Sequence, residues 1–450
     1  MSTSYSFLES ILVASSAMHY SNLMRRTSHD WPGSSKAAVD ALVEALHARH
    51  DAIKGVQTVL ARHKASANNT RSSDEKDALL ATILFFINFA LIDSGKGGWR
   101  AHMRAARNLI AAQASNFVIL PNKIQEDTEA EHSVLAISSL QIRRSAISRD
   151  LQQNPSLIRP QNPIGIRDYI ASDSVAYYIW GTTLDALSNS AAGTPGTSIV
   201  DSDEIRHIID RTEANSYHSC PAQLLLLILR ISRLAQRISV IGNAPVPDPE
   251  MSLFVDFLGE AQNFNSEEWA IRVSTANAYV REVDELEIQM RTYIAAAYRA
   301  SVCLYVLLAA PGLQEYIERR SSVPGDTMNL SALPTTEDLT KEILSQLILI
   351  PSTYPLFKYT TWPVFMTGVE AVTPERRSWI IQRLGAMWEL CPWGMMKSAM
   401  ETLTEIWQLR DGLNASISGD DAIAGGSIAD MTDQNWLIHL RNMGSNLLIV

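Results

Sequence analysis

Cysteine is scarce in this sequence. There are three, Cys220, Cys303 and Cys391, each more than eighty positions from the next. Three cysteines so few and so far apart make neither a disulfide framework nor a zinc framework, and the usage fits a reducing compartment. The amino terminus has no basic segment and sets Glu9 ahead of a short apolar run, so a secretory leader is not expected. Long apolar runs are missing as well. The longest, Ala78 to Ile92, lies between Asp77 and Asp93 and falls short of the roughly 20 residues that cross a bilayer. It reads as a buried helix in the middle of the fold. Positive charge is in deficit: 38 Lys and Arg stand against 48 Asp and Glu, a net charge of -10 and a pI near 5.5. The chain as a whole is therefore not drawn to nucleic acid or to an anionic membrane surface. Any DNA contact has to be local or made through another module. Period-two alternation bounded by turn residues is absent, so strands are expected to be few or none. No fixed-period repeat is found either.

What is present is apolar material at helical spacing. With 450 residues and 46% apolar composition the chain can bury a sizeable core and is not disordered throughout. From Val39, the positions Leu42, Leu46, Ile53, Val56 and Leu60 recur at helical intervals and predict one buried stripe. Glu129 to Gln153, the Asp203 to Arg211 stretch, Ala222 to Ile241 and the long segment from Glu267 through Tyr293 to Ala310 read the same way. Breaks fall where Pro, Gly, Ser and Asn cluster, near Lys64 to Asp74, Asn154, Ser190, Asn243, Ser321 and Ala415. None is long enough to separate independent domains. The expectation is an all-α, irregular multi-helix stack forming a single large domain over residues 1–450.

Motifs that carry chemistry mostly fail on inspection. The "SGKGGW" loop has Gly95 and Lys96, but Ala90 stands where a phosphate-binding loop needs its first Gly and Gly97 where it needs Ser or Thr. The dinucleotide fingerprint fails in the same loop, since Arg100 follows Gly95 and Gly97 where the third Gly belongs. A helix-ending turn explains the stretch better. Nucleophile elbows and His-Glu-x-x-His helices are absent. His47 and His50 lie one turn apart with Glu44 behind them, yet a third convergent ligand is not visible, and they read as surface histidines. "DELE", Asp284 to Glu287, lacks the paired aspartates of an all-helical magnesium enzyme and reads as a solvated helix face.

The stretch "TWPVFMTGVEAVTPERRSWI", Thr361 to Ile380, concentrates Trp-Pro, Gly, Glu and two Arg. Thr373-Pro374-Glu375 is a helix start: a capping hydroxyl, Pro at the first helical position, then an acid at the positive end of the dipole. The helix that follows is expected to bury Ile380, Leu384, Met387 and Trp388 and to end before Pro392. Pro363 sets the entry of a shorter helix through Glu370, and Gly368 allows close approach of a neighbour. An ion pair between Glu370 and Arg376 or Arg377 is expected to lock the corner.

Three blocks in order carry a family resemblance: Leu79 to Ile110, Trp362 to Ile380, and Ala399 to Asp411. Together they resemble the fungal-specific transcription factor domain, the regulatory region of fungal zinc-cluster transcription factors. The matching residues are Trp99, His102 and Leu109, then Trp362, Pro363, Gly368, Glu370, Ala371, Arg376 and Arg377, then Trp407 and Asp411; Ala105 departs from the Gly usual there. These residues are expected to be structural, with the effector site unknown and no catalytic or metal-binding residue implied. The resemblance implies a nuclear protein that controls transcription through a small-molecule effector or partners in the transcription machinery. It also implies no direct DNA binding by these residues, no membrane, and homodimerisation near the zinc module. That module needs six cysteines in about thirty residues, which this chain lacks, so zinc is implied only if the module lies upstream. The acid-plus-apolar stretch from Ser418 to Asp433 has the composition of a weak activation segment, with a surface loop the plainer reading. An all-helical enzyme of fungal secondary metabolism with a buried pocket is the alternative from another class.

Overall fold

A computed structural model describes residues 5–27, 36–65, 73–103, 105–106, 172–173, 175–177, 179–180, 206, 209–210, 213, 220–239, 246–276, 284–310, 312–321, 334–417 and 449. The regular elements among them are all helical, so the fold is all-α. In chain order they are α1 (Ser6–Thr27), α2 (Lys36–Ala65), α3 (Ser73–Asp93), α4 (Ala222–Ser239), α5 (Asp248–Gln262), α6 (Ser266–Thr275), α7 (Glu285–Ala309), α8 (Leu313–Ser321), α9 (Thr336–Ile348), α10 (Thr361–Val369), α11 (Pro374–Leu390) and α12 (Gly394–Ile417). A 3-10 turn, Phe357–Thr360, leads into α10. The expected helix over Glu129 to Gln153, the Ser418 to Asp433 stretch, and Leu109 lie outside the described residues.

The centre of the stack is α7, not α3. Its long buried set runs from Met290 to Ala309, and it packs against α4, α5, α6, α9 and α10. It is also the helix long and apolar enough to cross a membrane among the described residues, but 78% of its apolar window is buried within the protein. Asp284 starts it by accepting from the Leu286 N–H at 3.0 Å, and Glu287 pairs with Arg291 one turn on at 2.9 Å. The "DELE" stretch is thus a cap with one largely buried ion pair, not simply a solvated face. Glu267 to Ala310 forms two helices, α6 and α7, rather than one.

Why, then, is α3 apolar all round? It lies between two apolar clusters. Leu84, Ile87 and Leu91 face the main core around α7, while Leu79, Phe86 and Phe89 face a second cluster made with α1 and α2. A helix packed on both sides carries no solvent stripe. The "SGKGGW" loop closes it as expected of a helix-ending turn. Gly95 takes φ 67 and donates its N–H to the Ala90 carbonyl at 2.7 Å, and Gly97 takes φ 97. Positive φ is where Gly is favoured.

The register expected for α2 is corrected. Leu42, Ile53 and Val56 of the expected stripe do pack at partial burial against the cluster made with α1, but Val39, Leu46 and Leu60 are exposed, and the fully buried line is Ala38, Ala45, Ala52 and Val59, one every seven residues. Small side chains let the two axes approach. A Cβ added at Gly55 would lie 2.7 Å from the Phe7 Cβ, and Ser21 Oγ donates to the Ala38 carbonyl at 2.7 Å. Position 7 opposite 55 and 21 opposite 38 make the hairpin antiparallel. A stripe drawn from the large residues missed this face because Ala carries little weight in a hydrophobicity pattern.

Candidate functional site: the Trp-Pro corner

The Thr361 to Ile380 stretch forms a corner where α10 enters the core and α11 and α12 close over it. Every residue of α10 is buried, which its composition requires: nothing in Thr361 to Val369 is charged. The two hydroxyls that this buries are satisfied locally, Thr361 Oγ1 by the Lys358 carbonyl and Thr367 Oγ1 by the Pro363 carbonyl, both at 2.8 Å. Pro363 sits in the first turn, where a missing N–H costs nothing. Thr373 caps α11 by accepting from the Arg376 N–H at 3.4 Å. Ile380, Leu384, Met387 and Trp388 are buried as the helical spacing predicts.

Trp362 is 3% exposed and lies inside an aromatic cluster. Tyr298 of α7 stacks on it at 5.9 Å and 8°, Trp180 lies 5.3 Å away, and Tyr305 meets it edge-on at 6.2 Å. The phenols are themselves held: Tyr298 donates to the Tyr359 carbonyl at 2.8 Å, and Tyr305 shares a 3.0 Å hydrogen bond with Ser232. Burial pushes both phenols above their usual range, so neither ionises near neutrality. Gly368 permits the approach of α12, since a Cβ there would lie 2.7 and 2.9 Å from the Leu403 methyls.

The carbonyls at the open end of α10 are taken by side chains from α11 and α12. Trp407 Nε1 donates to Gly368 O at 2.9 Å, Arg410 to Val369 O at 2.7 Å, and Arg377 Nε to Ala371 O at 3.1 Å. These carbonyls lie at or just past the helix end, and Gly368 O also accepts from the Ala371 N–H at 3.1 Å. The ion pairs around them differ from expectation. Glu370 pairs with neither Arg376 nor Arg377; its neighbour is Arg410, at a loose 3.8 Å. Arg377 instead forms a two-point contact with Asp411, at 2.6 and 2.8 Å, with its guanidinium over the Trp407 ring. Arg376 makes a two-point contact with Glu337 of α9, 2.6 Å at each end. The reason is direction along α11: residues 376 and 377 project toward different neighbours, while Glu370 at the end of α10 faces α12. Burial raises the Glu370 carboxyl above its usual range against the pull of Arg410. The Arg376 hydrogen bonds hold Glu337 down to about 2.

Trp99 is 1% exposed in the main core, and His102 stacks on Phe86 of α3 at 4.7 Å and 8°. Burial, and secondarily Arg49, lowers His102 to about 4.

Three positioning features escaped the sequence. Glu213, 4% exposed, accepts from Trp269 Nε1 and from the Ala222 N–H, both at 2.7 Å, and pairs with Arg272 at 2.8 Å. Asn22 donates to the carbonyls of Ile92 at 2.7 Å and Pro392 at 3.0 Å, tying α1 to the end of α3 and to the turn before α12. Arg383 is sandwiched between Phe357 and Trp379 and donates to the Ile350 carbonyl at 3.2 Å. Their partners are far apart in sequence, so no local spacing signals them.

Zinc does not fit the cysteines of this chain. Cys220 and Cys303 are buried and Cys391 is half-buried. Burial pushes all three thiols up, Cys303 to about 12. Among the described residues no three His, Cys, Asp or Glu side chains are grouped as metal ligands; His47 and His50 are exposed.

The fold and the corner therefore define an all-helical scaffold closed by aromatic packing and arginine contacts. The family described as "Fungal specific transcription factor domain" matches residues 1–450, and the chain belongs to it. It is a fungal transcription factor domain, and the family and the relative support a regulatory role. It is similar to the acriflavine sensitivity control protein acr-2 of Neurospora crassa, 30% identical over 99% of this chain and 61% of that protein. The chain thus spans less than two thirds of that relative's length. No solved structure matches it.

Proposed function

We propose that this chain is the region of a nuclear fungal transcription factor that senses a small-molecule effector or a protein partner and sets transcriptional output accordingly. The observation that carries the reading is the family match across residues 1–450. A helical stack of this kind works by population shift: an effector that binds one packing of the helices better than another changes which is populated. The motif residues Trp362, Pro363, Gly368, Glu370, Arg376, Arg377, Trp407 and Asp411, with Trp99 and His102, serve the scaffold, and the effector is recognised elsewhere. These residues do not read DNA themselves; a zinc module reads it if the full-length protein carries one, and a member without such a module acts through a partner.

The relative's name ties that protein to control of acriflavine sensitivity. We carry this over as control of a tolerance response to toxic compounds. The test is a strain in which the native protein lacks these residues but keeps the rest. Altered transcript levels of its targets on exposure to acriflavine, with DNA occupancy retained, are expected. Transcript levels indistinguishable from those of the intact strain would remove the regulatory reading.

A further inference from the structure

Of the 18 prolines in the chain, two follow a hydroxyl residue: Pro195 after Thr194 and Pro374 after Thr373. A proline-directed kinase needs that pair and favours a basic residue three positions past the hydroxyl. Thr373 has Arg376 there, whereas Thr194 has Thr197 and lies outside the described residues. The structure presents the Thr373 hydroxyl for such a reaction. Val372, Thr373, Pro374 and Glu375 are exposed in succession, Val372 by 60%, and Thr373 is extended at φ -85 and ψ 146. A kinase cleft takes its substrate extended, so the first turn of α11 has to open. Little holds it shut: Pro374 has no N–H to give up, and the cap bond from the Arg376 N–H is long at 3.4 Å. The Arg376 pair with Glu337 lies at the surface, where ion pairs hold weakly.

We infer that Thr373 is a site of phosphorylation by a proline-directed kinase, and that the phosphate takes Arg376 away from Glu337. In the reaction the γ-phosphoryl group of ATP bonds to Thr373 Oγ1, its bond to the ADP oxygen breaks, and the hydroxyl proton leaves through the base of the kinase. The hydroxyl and the residues around it make the site; the helix start decides only where the phosphate lies. On the N-cap its acceptor oxygens meet the free N–H groups of the first turn and the positive end of the dipole. Arg376 is the third residue of α11, and a side chain at that position reaches back to the cap. The start of α9 shows the reach: Asp338, its third residue, accepts from the hydroxyl of the cap Thr335 at 2.7 Å. A cation in a first turn is disfavoured by its own helix, and Glu337 of α9 now offsets this for Arg376. A phosphate on Thr373 brings about two negative charges to the same helix end, against the single charge of Glu337 on another helix. Glu337 then keeps Lys341, at 3.3 Å, and α9 loses this tie to α11. The site stands apart from the regulatory reading, since it needs neither an effector nor DNA.

The test treats the whole chain with a cyclin-dependent kinase and ATP, maps the phosphate by peptide mass, and measures hydrogen exchange before and after. Phosphate is expected on Thr373. Pro374→Ala should slow its addition about tenfold or more, because Ala at the first helical position keeps the helix and loses the recognised pair. Exchange in the first turns of α9 is expected to rise about two- to fivefold on phosphorylation, the weight of one surface ion pair. Arg376→Gln should raise it likewise without phosphate. Thr373→Asn keeps a capping side chain and removes the hydroxyl, so kinase treatment should leave its α9 exchange unmoved. A chain without phosphate on Thr373 overturns the proposal. So does P374A modified as fast as the wild type, or phosphate on Thr373 that leaves α9 exchange where it was. An equal rise in treated T373N would assign the change to another residue and overturn it as well.

Discussion

Two glycines show how differently one methyl group weighs in this structure. A Cβ at Gly368 would press on the Leu403 methyls at 2.7 and 2.9 Å and on Ile380 at 3.1 Å. Those are ends of side chains, which yield at a cost of about 1 to 3 kcal/mol for Gly368→Ala. At Gly394, the first residue of α12, the Cβ would lie 1.8 Å from the Asp93 carbonyl oxygen and 2.4 Å from its carbon. Backbone cannot swing aside, so Gly394→Ala is expected to cost more than Gly368→Ala. Thermal midpoints of the two variants decide it; equal midpoints would mean the Asp93 approach is not rigid. His102 offers a pH test. Its neutral form is held, with the folded group at about 4 against an ordinary 6.5. Below pH 6.5 the unfolded chain takes up a proton that the folded chain refuses, so stability falls from there down to about 4 and then levels. His102→Gln should flatten that part of the stability profile. A profile unchanged between pH 6.5 and 4 would show that His102 titrates normally.

At the scale of elements, the corner works because α11 and α12 close the end of α10 with side chains. Trp362→Ala removes the centre of the aromatic cluster and is expected to cost about 3 to 5 kcal/mol, as truncation of a buried aromatic does. Denaturant titration measures it, and an unchanged midpoint would show the ring to be dispensable. Arg377→Lys keeps the charge but loses the two-point contact with Asp411, the bond to Ala371 O and the stack on Trp407, so it is not conservative. It should cost about 1 to 2 kcal/mol, and little of that should vanish in high salt, since the carbonyl contact and the stack are not screened. A loss abolished by salt would assign the effect to the Asp411 pair alone. Much of this corner was legible in advance. The Thr373-Pro374-Glu375 start, the buried face of α11 and the role of Gly368 follow from local rules of capping, spacing and size. The ion-pair partners were not, because Arg376, Arg377 and Glu370 choose among helices whose arrangement no local pattern encodes.

For the whole molecule the helical class could be read from apolar periodicity and from the want of alternation. The centre could not. An all-apolar helix such as α3 is required both by a central position and by one between two clusters, and only the packing tells these apart. The mistaken stripe on α2 has the same origin. Leu42, Ile53 and Val56 do pack on the core, but Val39, Leu46 and Leu60 were assigned there because burial is their usual fate, while the closest contact with α1 selected Ala instead. The family blocks were legible as residues in order, Trp99 and His102 early, Trp362 to Asp411 late. In the structure Trp99 shares the main core with Trp362 and Trp407 while His102 stacks on Phe86, and contacts such as Lys96 with Glu401 at 3.0 Å and Asn22 with Pro392 tie the early helices to the late ones.

The central claim is that these residues regulate transcription while leaving DNA recognition to another module. Its most direct test tethers the whole chain to an unrelated DNA-binding module upstream of a reporter in a fungal cell. The account predicts reporter output that differs from that of the module alone and that changes on exposure to acriflavine. Output identical to the module alone, with the fused chain present and folded, would contradict it.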